Sequence, residues 1–376
     1  MPHVSAPGKL FVTGEWAVLE IGNKGMVAAV NKRVHADIND ADEISVSVDD
    51  FSIKDAKATI TDGNLEWTDS TDKDKDKDKE TLLFTKHAIE TATKYLGETK
   101  PFTLRSWGED TNVNLNRELK KVGFGSSAAS VVATVTAVLA HNGMDISSRE
   151  SKDIIYKLSA MAHYYAQGKL GSAFDVAAST YGGLFMYQRF DPDYVVSQVD
   201  AGKSVKEIVD SDWKAFNVEQ LDIPDNFRLV IGWTKDSAST KEMVTQMNAW
   251  RDESEENAKE YKQLYDNIAT IAAKNIDLWK AKDYDAYLKG LTENEQALAA
   301  LGKATGVDIE TQDLKKLSDL AAAQGGTGKL SGAGGGDCGI AIAFSDDIAN
   351  KIKQSWTEND LVVVDATLDK DGVKIE

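Results

Sequence analysis

The stretch Lys121–Ala140, KVGFGSSAASVVATVTAVLA, constrains this chain more than any other. A glycine-rich turn, Gly123-Phe124-Gly125, gives way at once to Ser126 and Ser127, then to an uncharged run of small and apolar residues from Ala128 to Ala140. The uncharged stretch Val122–Ala140 is too short in apolar content to span a membrane, so it reads as a helix buried in a core. Glycines permit close backbone approach and positive φ. The first turn of a helix offers unpaired N–H groups and a partial positive charge. A loop followed by a buried helix is therefore the order that a phosphate site needs. Ser126 and Ser127 are expected to cap the helix and to offer hydroxyls to phosphate oxygens or a metal. No Gly-Lys-Ser/Thr ends the loop, so it is not a Walker A sequence. A plain glycine turn before a core helix would have the same letters.

The rest of the chain narrows the choice. Its 376 residues leave room for two domains. The net charge of −18 argues against a nucleic-acid or anionic-membrane surface. Any site for a polyanion must then be built locally, from N–H groups and a few cations. The single cysteine, Cys338, excludes an internal disulfide and fits a cytosolic setting. Met1–Leu10 carries Pro and Gly where a secretory signal would carry an apolar core.

Ahead of the loop, Val4–Glu20 reads as a strand to Pro7-Gly8 that resumes over Lys9–Thr13 and turns at Gly14. Lys9 is either a solvated lysine at a strand start or a cation placed for an anion. MVAAV, RVHADI and ISVSV, within Gly25–Val48, read as three strands. Asp69–Glu80, with its DKDKDKDK, reads as a solvated loop. Thr81–Leu96 is expected to be a helix stopped by Gly97, Pro101–Trp107 a strand, and Thr111–Lys120 a polar lead-in. Ser148–Gln167 is expected to be a second helix. Asp175 falls where another begins, as either a helix N-terminal charge or a site residue. Leu184–Arg189 reads as a strand and Asp191–Asp222 as a connection with one helix. Phe227–Trp233, a strand, leads into TKDSAST. Glu242 to about Leu301 is helical with a break near Lys282–Asp285, and Thr311–Ala323 is a further helix. Lys329–Phe344, KLSGAGGGDCGIAIAF, holds four glycines among residues 332–336, an entropic cost that a close backbone approach would explain. Asp346–Trp356 reads as a helix, Leu361–Ala366 as a strand and Gly372–Ile375 as a short strand.

Taken together, APGKLFVTGEWAVLE, KVGFGSSAAS and SGAGGGDCG resemble, in this order and with these separations, the three motifs of the GHMP kinases. The likeness covers nearly the whole chain. It is greatest to the members that act on phosphomevalonate, whose signatures KVGFGSSAA, AQGKLGSAFDVAASTYGG, GWTKDSAST and SGAGGGDCGIA resemble. Members that act on mevalonate are less alike. Their metal-binding glutamate, upstream of the aspartate, has no counterpart in Met161–Gln167.

The resemblance implies an α+β fold: an N-terminal domain of the ribosomal S5 domain 2 type over residues 1–190, then a ferredoxin-like C-terminal domain over 191–376, with ATP in the cleft between them. It implies transfer of the γ-phosphoryl of ATP to (R)-5-phosphomevalonate, with Mg²⁺, in the cytoplasmic mevalonate pathway to isopentenyl diphosphate. Lys9 and Asp175 would be catalytic. Lys121, Gly123, Gly125, Ser126, Ser127 and Ala128, in a phosphate loop at 121–130, would hold ATP together with Gly334 and Gly335 of a second loop at 331–337. Ser127 would also be the metal ligand. Lys9, Ser237, Ser239, Thr240, Gly332, Ala333 and Asp337 would hold the substrate, with Lys121, Lys169 and Arg105 as candidate cations for its charged groups. The partners would be small molecules only, and the chain a monomer or homodimer. The acceptor is a phosphate monoester with a second pKa of about 6 and is largely dianionic at neutral pH. Asp175 therefore reads as an organiser of Lys9 and substrate first and as a general base second. Another GHMP kinase, mevalonate kinase first, and a sensor that binds ATP without turnover remain the alternatives.

Overall fold

A computed structural model describes residues 2–68, 82–108, 112–115, 118–168, 171–236 and 239–376. The expected charged loop at 69–80 lies outside them. In chain order the strands are β1 (His3–Thr13), β2 (Lys24–Asp40), β3 (Ile44–Val48), β4 (Ile53–Thr61), β5 (Asn64–Trp67), β6 (Phe102–Trp107), β7 (Asn112–Leu115), β8 (Glu118–Lys121), β9 (Leu184–Gln188), β10 (Asn217–Gln220), β11 (Arg228–Trp233), β12 (Thr327–Leu330), β13 (Cys338–Ala343), β14 (Val362–Val364) and β15 (Lys374–Ile375). The helices are α1 (Leu83–Leu96), α2 (Ser126–His141), α3 (Arg149–Ala166), α4 (Phe174–Tyr181), α5 (Pro192–Asp200), α6 (Val205–Asp210), α7 (Thr240–Asp252), α8 (Glu255–Lys280), α9 (Tyr284–Thr305), α10 (Gln312–Ala323) and α11 (Asp346–Glu358).

β2 is the spine of a nine-stranded sheet. One of its edges pairs with β1; the other pairs with β9 along Lys24–Ala28 and with β6 along His35–Asp40. MVAAV and RVHADI are thus one strand where two were expected. The backbone between them stays extended because Asn31 donates its N–H to Thr367 at 3.0 Å and Val30 bridges Leu368. Along β2 the period of two puts Val34, Ala36 and Ile38 into the core. The helices α1 to α4 supply the other half of that core. α2 is buried through most of its length, from Ala128 to Leu139, which is why its sequence carries no charge.

The second sheet is antiparallel, in the order β12-β13-β11-β14. One face packs on α10 and α11 through Leu317, Ala321, Ile352 and Trp356. The other face shares a core with α8, α9 and the first sheet: Ile231, Ile340 and Ile342 join Trp279, Tyr287, Leu291, Leu10, Val12 and Met26. The two sheets are therefore joined by packed apolar side chains.

Several boundaries differ from expectation. The sheets do not divide at residue 190, because β10 pairs with β9 and β15 pairs with β1. Buried Arg33 holds the returning tail by donating to Gly372 O at 2.6 Å and pairing with Asp369. Asp191–Asp222 holds two short helices and a strand, each helix with its own side-chain cap, Asp191 or Ser204. The polar lead-in to the glycine loop contains two strands, β7 and β8, paired antiparallel. The long helical stretch breaks twice. The break at Lys282 was expected; the other is at Ser254, whose side chain accepts from Asn257 N and starts α8.

Candidate active site

The first glycine loop opens onto the N-terminus of α2. Gly125 is the N-cap residue, at φ 74°, and no side chain caps the helix. Ser126 and Ser127 therefore lie inside the first turn and do not cap it. The left-handed glycine already reverses the chain, and Ala129 is bonded to Gly125 O at 3.1 Å. The N–H groups of Ser126, Ser127 and Ala128 precede the first possible helical acceptors. Their dipoles converge on the space in front of the loop, where an anion is favoured. Ser126 and Ala128 are buried and Ser127 is half-buried.

Lys9 and Asp175 border that space. A side-chain carbon placed on Gly125 would lie 3.0 and 3.1 Å from the Lys9 stem and 3.6 Å from Asp175 Cβ. β1 delivers Lys9 through a register shift at Pro7/Gly8, and Ser179 of α4 fixes the bend by donating to Pro7 O at 2.7 Å. Lys9 N–H donates to Phe124 O at 2.8 Å, and its ammonium donates to Gly123 O at 2.7 Å. The same ammonium lies 5.7 Å from the centre of the Phe174 ring. Asp175, in the first turn of α4, accepts from Val176 N at 2.9 Å. Its other oxygen is 4.0 Å from Nε2 of the buried His163.

His163 also lies 3.3 Å from Ser127 Oγ. Burial pushes its pKa down, and the Asp175 charge opposes the shift only in part. This imidazole occupies the stretch that lacks a carboxylate. Sequence reasoning gave it no role, and its only signal was a polar side chain among the apolar positions of α3.

The second glycine loop meets the first from the other side. Asp337 Oδ1 accepts from Gly123 N–H at 2.9 Å. Burial raises the pKa of Asp337, opposed by the Lys9 charge and the Gly123 N–H. A side-chain carbon on Gly123 would overlap the Asp337 carboxylate, at 1.5 Å, so that glycine is set by space. Ser331 stitches the loop to β1, donating to Phe11 O at 2.9 Å and accepting from Phe11 N at 2.8 Å. Ala333 O accepts from Trp16 Nε1 at 3.1 Å, and Gly332 faces open space. Gly334 packs on Ile309, and the Gly335 N–H is spent on Ile309 O at 3.0 Å. Gly335 N–H is thus committed to the loop's own shape instead of pointing at a phosphate.

Other expected site residues stand elsewhere. Ser239 caps α7 by accepting from Glu242 N at 3.3 Å, and it and Thr240 are exposed. The segment before them does reach the loop: Thr234 N donates to Asp337 O at 3.0 Å, and Asp337 N to Asp236 O at 2.9 Å. Ser237 and Lys169 lie outside the described residues, and of Lys121 only the backbone, at the end of β8, is described. Arg105 is largely exposed and paired with Asp49 at 2.6 Å.

For a divalent cation the site offers the Asp175 carboxylate and the Ser127 hydroxyl, both beside His163. No group of three His, Cys, Asp or Glu side chains gathers here among the described residues. That sparse oxygen set fits a Mg²⁺ ion held mainly by nucleotide phosphates and water. No described helix is long and apolar enough to cross a membrane.

Comparison with known proteins identifies the family. The family model for the GHMP kinases N terminal domain matches residues 84–183, and that for the GHMP kinases C terminal matches residues 272–360. A phosphomevalonate kinase of Streptomyces sp. (strain CL190) is 31% identical over 364 residues, which cover 93% of this chain and 92% of that protein. Among solved structures, a Lin0012 protein from Listeria innocua superposes with a TM-score of 0.85 at 29% identity, over 100% of this chain and 99% of that one. Streptococcus pneumoniae phosphomevalonate kinase, in complex with phosphomevalonate and AMPPNP, gives a TM-score of 0.79 at 22% identity, over 98% of this chain and 100% of that one.

Proposed function

The chain belongs to the GHMP kinases, and from that premise we propose that it transfers the γ-phosphoryl of ATP to (R)-5-phosphomevalonate, giving ADP and (R)-5-diphosphomevalonate. The observation that carries the reading is the meeting of Lys9, Gly125 and Asp175 at the mouth of α2. The choice of acceptor is supported by the phosphomevalonate kinases among its relatives.

Phosphoryl transfer needs alignment and charge neutralisation more than covalent help. The N–H groups of Ser126, Ser127 and Ala128 would receive the ATP phosphates. The Lys9 ammonium donates to Gly123 O at the mouth of α2. It would act in the space between donor and acceptor, where negative charge develops in the transition state. Mg²⁺ would arrive with ATP and neutralise phosphate charge, with Ser127 and Asp175 as the nearby oxygens. The acceptor is already largely dianionic, so Asp175 orients Lys9 and the substrate instead of taking a proton. Asp337 and Gly332 would border the substrate from the second loop, with Ala333, Ser239 and Thr240 beyond them. We place the reaction in the mevalonate pathway to isoprenoid precursors, in the cytoplasm.

An ADP-release assay on purified protein with phosphomevalonate, mevalonate, homoserine and galactose tests this. Turnover with phosphomevalonate and little with mevalonate is expected. Equal or better rates with mevalonate would overturn the acceptor assignment. ATP binding without turnover of any of the four would make the chain a sensor.

A further inference from the structure

Two of the chain's five histidines stand side by side far from the kinase cleft. His3 is at the start of β1 and His35 lies on β2, with His3 opposite Asp37 and Ser5 opposite His35 in the strand register. The period of two puts these four side chains on one face of the sheet, while Val4, Ala6, Val34 and Ala36 fill the core on the other. β15 returns along β1, and Glu376 N donates to His3 O at 2.8 Å, which brings the Glu376 side chain to the same face.

The atoms there are arranged for a cation. Asp37 Oδ1 lies 2.7 Å from His3 Nδ1 and so takes that nitrogen's proton as a hydrogen bond. This fixes the tautomer, and the lone pair of His3 Nε2 faces His35 Nδ1 and Glu376. His35 Nδ1 is 3.2 Å from that nitrogen, and Glu376 Oε2 is 3.7 Å from it. One ligand atom from each of His3, His35 and Glu376 lies within 4.8 Å of the others. Bonds of about 2.0–2.2 Å to a tetrahedral zinc ion imply ligand–ligand separations of roughly 3.3–3.5 Å. The separations of 3.2 Å to His35 and 3.7 Å to Glu376 bracket that value. The carboxylate behind His3 is the outer partner that metal-binding histidines ordinarily have. Ser5 Oγ holds Glu376 Oε1 at 2.6 Å and leaves Oε2 turned toward the imidazoles. His35 stacks on Trp107 with an interplanar angle of 12°, which holds its ring in place.

We propose that His3 Nε2, His35 Nδ1 and the Glu376 carboxylate bind one divalent transition-metal ion of the zinc class. The ion clips β15 to β1 and β2 on the face of the first sheet opposite the core of α1 to α4. A water molecule completes four-coordination. The site is separate from the kinase cleft, since Lys9 lies six residues further along β1, about 20 Å at strand rise.

Cobalt(II) is the probe. Nucleotide-free protein stripped with EDTA is titrated with Co²⁺ in the presence of excess Mg²⁺, which occupies oxygen-only sites, and visible absorption is followed. The expected result is saturation at one equivalent, with the strong bands of four-coordinate cobalt, and their loss when Zn²⁺ is added. His35→Gln and Glu376→Gln should each weaken binding at least tenfold. Asp37→Asn should weaken it by about 10–100-fold. His87→Gln should change nothing. Zn²⁺ should raise the melting temperature of the wild type and not that of His35→Gln. Glu376→Gln, at an exposed position, serves if His35→Gln does not fold. Only the weak spectrum of hydrated cobalt, or equal binding by the wild type and both ligand variants, would leave a hydrogen-bonded histidine pair and overturn the site.

Discussion

Asp337 accepts a hydrogen bond from Gly123 N–H at 2.9 Å across 214 residues of sequence. The carbonyl of the same glycine accepts from the Lys9 ammonium at 2.7 Å. One residue is thus gripped from both sides, by a carboxylate from the second glycine loop and a cation from β1. The first sheet and the second are tied at the point where the phosphates would lie. Hydrogen bonds to a charged group contribute about 1.5–3 kcal/mol.

The first prediction follows from that link. Asp337→Ala should lower kcat/KM for ATP by about 10–100-fold, because the first loop loses its anchor. Asp337→Asn keeps an acceptor oxygen and should lose much less. Initial rates over a range of ATP concentrations for the two variants check this. Equal losses in both would assign the effect to the charge and not to the loop contact.

Lys9 and Asp175 make separable predictions. Lys9→Ala should lower kcat by at least ~10²-fold, the cost of one preorganised electrostatic contact, with a smaller change in ATP affinity. Asp175→Asn should be slower but should keep the acid limb of its pH profile near pH 6, where the acceptor phosphate takes up its second proton. The measurement is kcat at saturating substrate from about pH 5 to 9. Loss of the acid limb in Asp175→Asn alone would make the aspartate a base.

The parts of this site that could be read from the letters were those fixed by local chemistry. Gly123 and Gly125 before an uncharged run had to be a loop entering a buried helix, and Lys9 and Asp175 stood at a strand and a helix start. What could not be read depended on distant partners. Asp337 was expected to touch substrate; its hold on Gly123 depends on how two sheets meet. His163 looked like one more position on α3, and only burial beside Ser127 gives it meaning. β2 looked like two strands because the bonds that keep Asn31 extended come from Thr367, at the far end of the chain. The helix cap was misplaced on Ser126 and Ser127 because serines prefer that position, while here Gly125 fills it.

Glu15 and Lys329 form an ion pair in which both side chains are 1% exposed. Lys329 also donates to Leu330 O at 2.6 Å, but the second oxygen of Glu15 has no partner among the described residues. The pair joins the end of β1 to β12. Removing one partner strands a buried charge, so Lys329→Met should destabilise by about 3–5 kcal/mol. The double variant Glu15→Gln/Lys329→Met should recover much of that loss, since no charge is left to desolvate. Urea denaturation of the wild type, both single variants and the double variant measures it. A double variant as weak as the sum of the singles would contradict the account.

The last prediction concerns pH. Glu310, just before α10, has its pKa pushed up from 4.5 to about 7, first by burial and then by the neighbouring Glu295. Glu295 is itself buried, with one oxygen lacking a partner among the described residues. Between these two pKa values the folded chain binds more protons than the unfolded chain. The slope of unfolding free energy with pH is therefore negative for this group, and stability falls as pH rises from 4.5 through 7. Lys315 opposes part of the penalty. Glu310→Gln removes the ionisation and should keep the shape of the site. It should raise the melting temperature at pH 8 by about 2–4 °C, with little effect at pH 5. Melting curves for the wild type and Glu310→Gln at pH 5, 6, 7 and 8 give the answer. A difference that stays constant across the series would mean that the substitution acts through packing and not through the ionisation of Glu310.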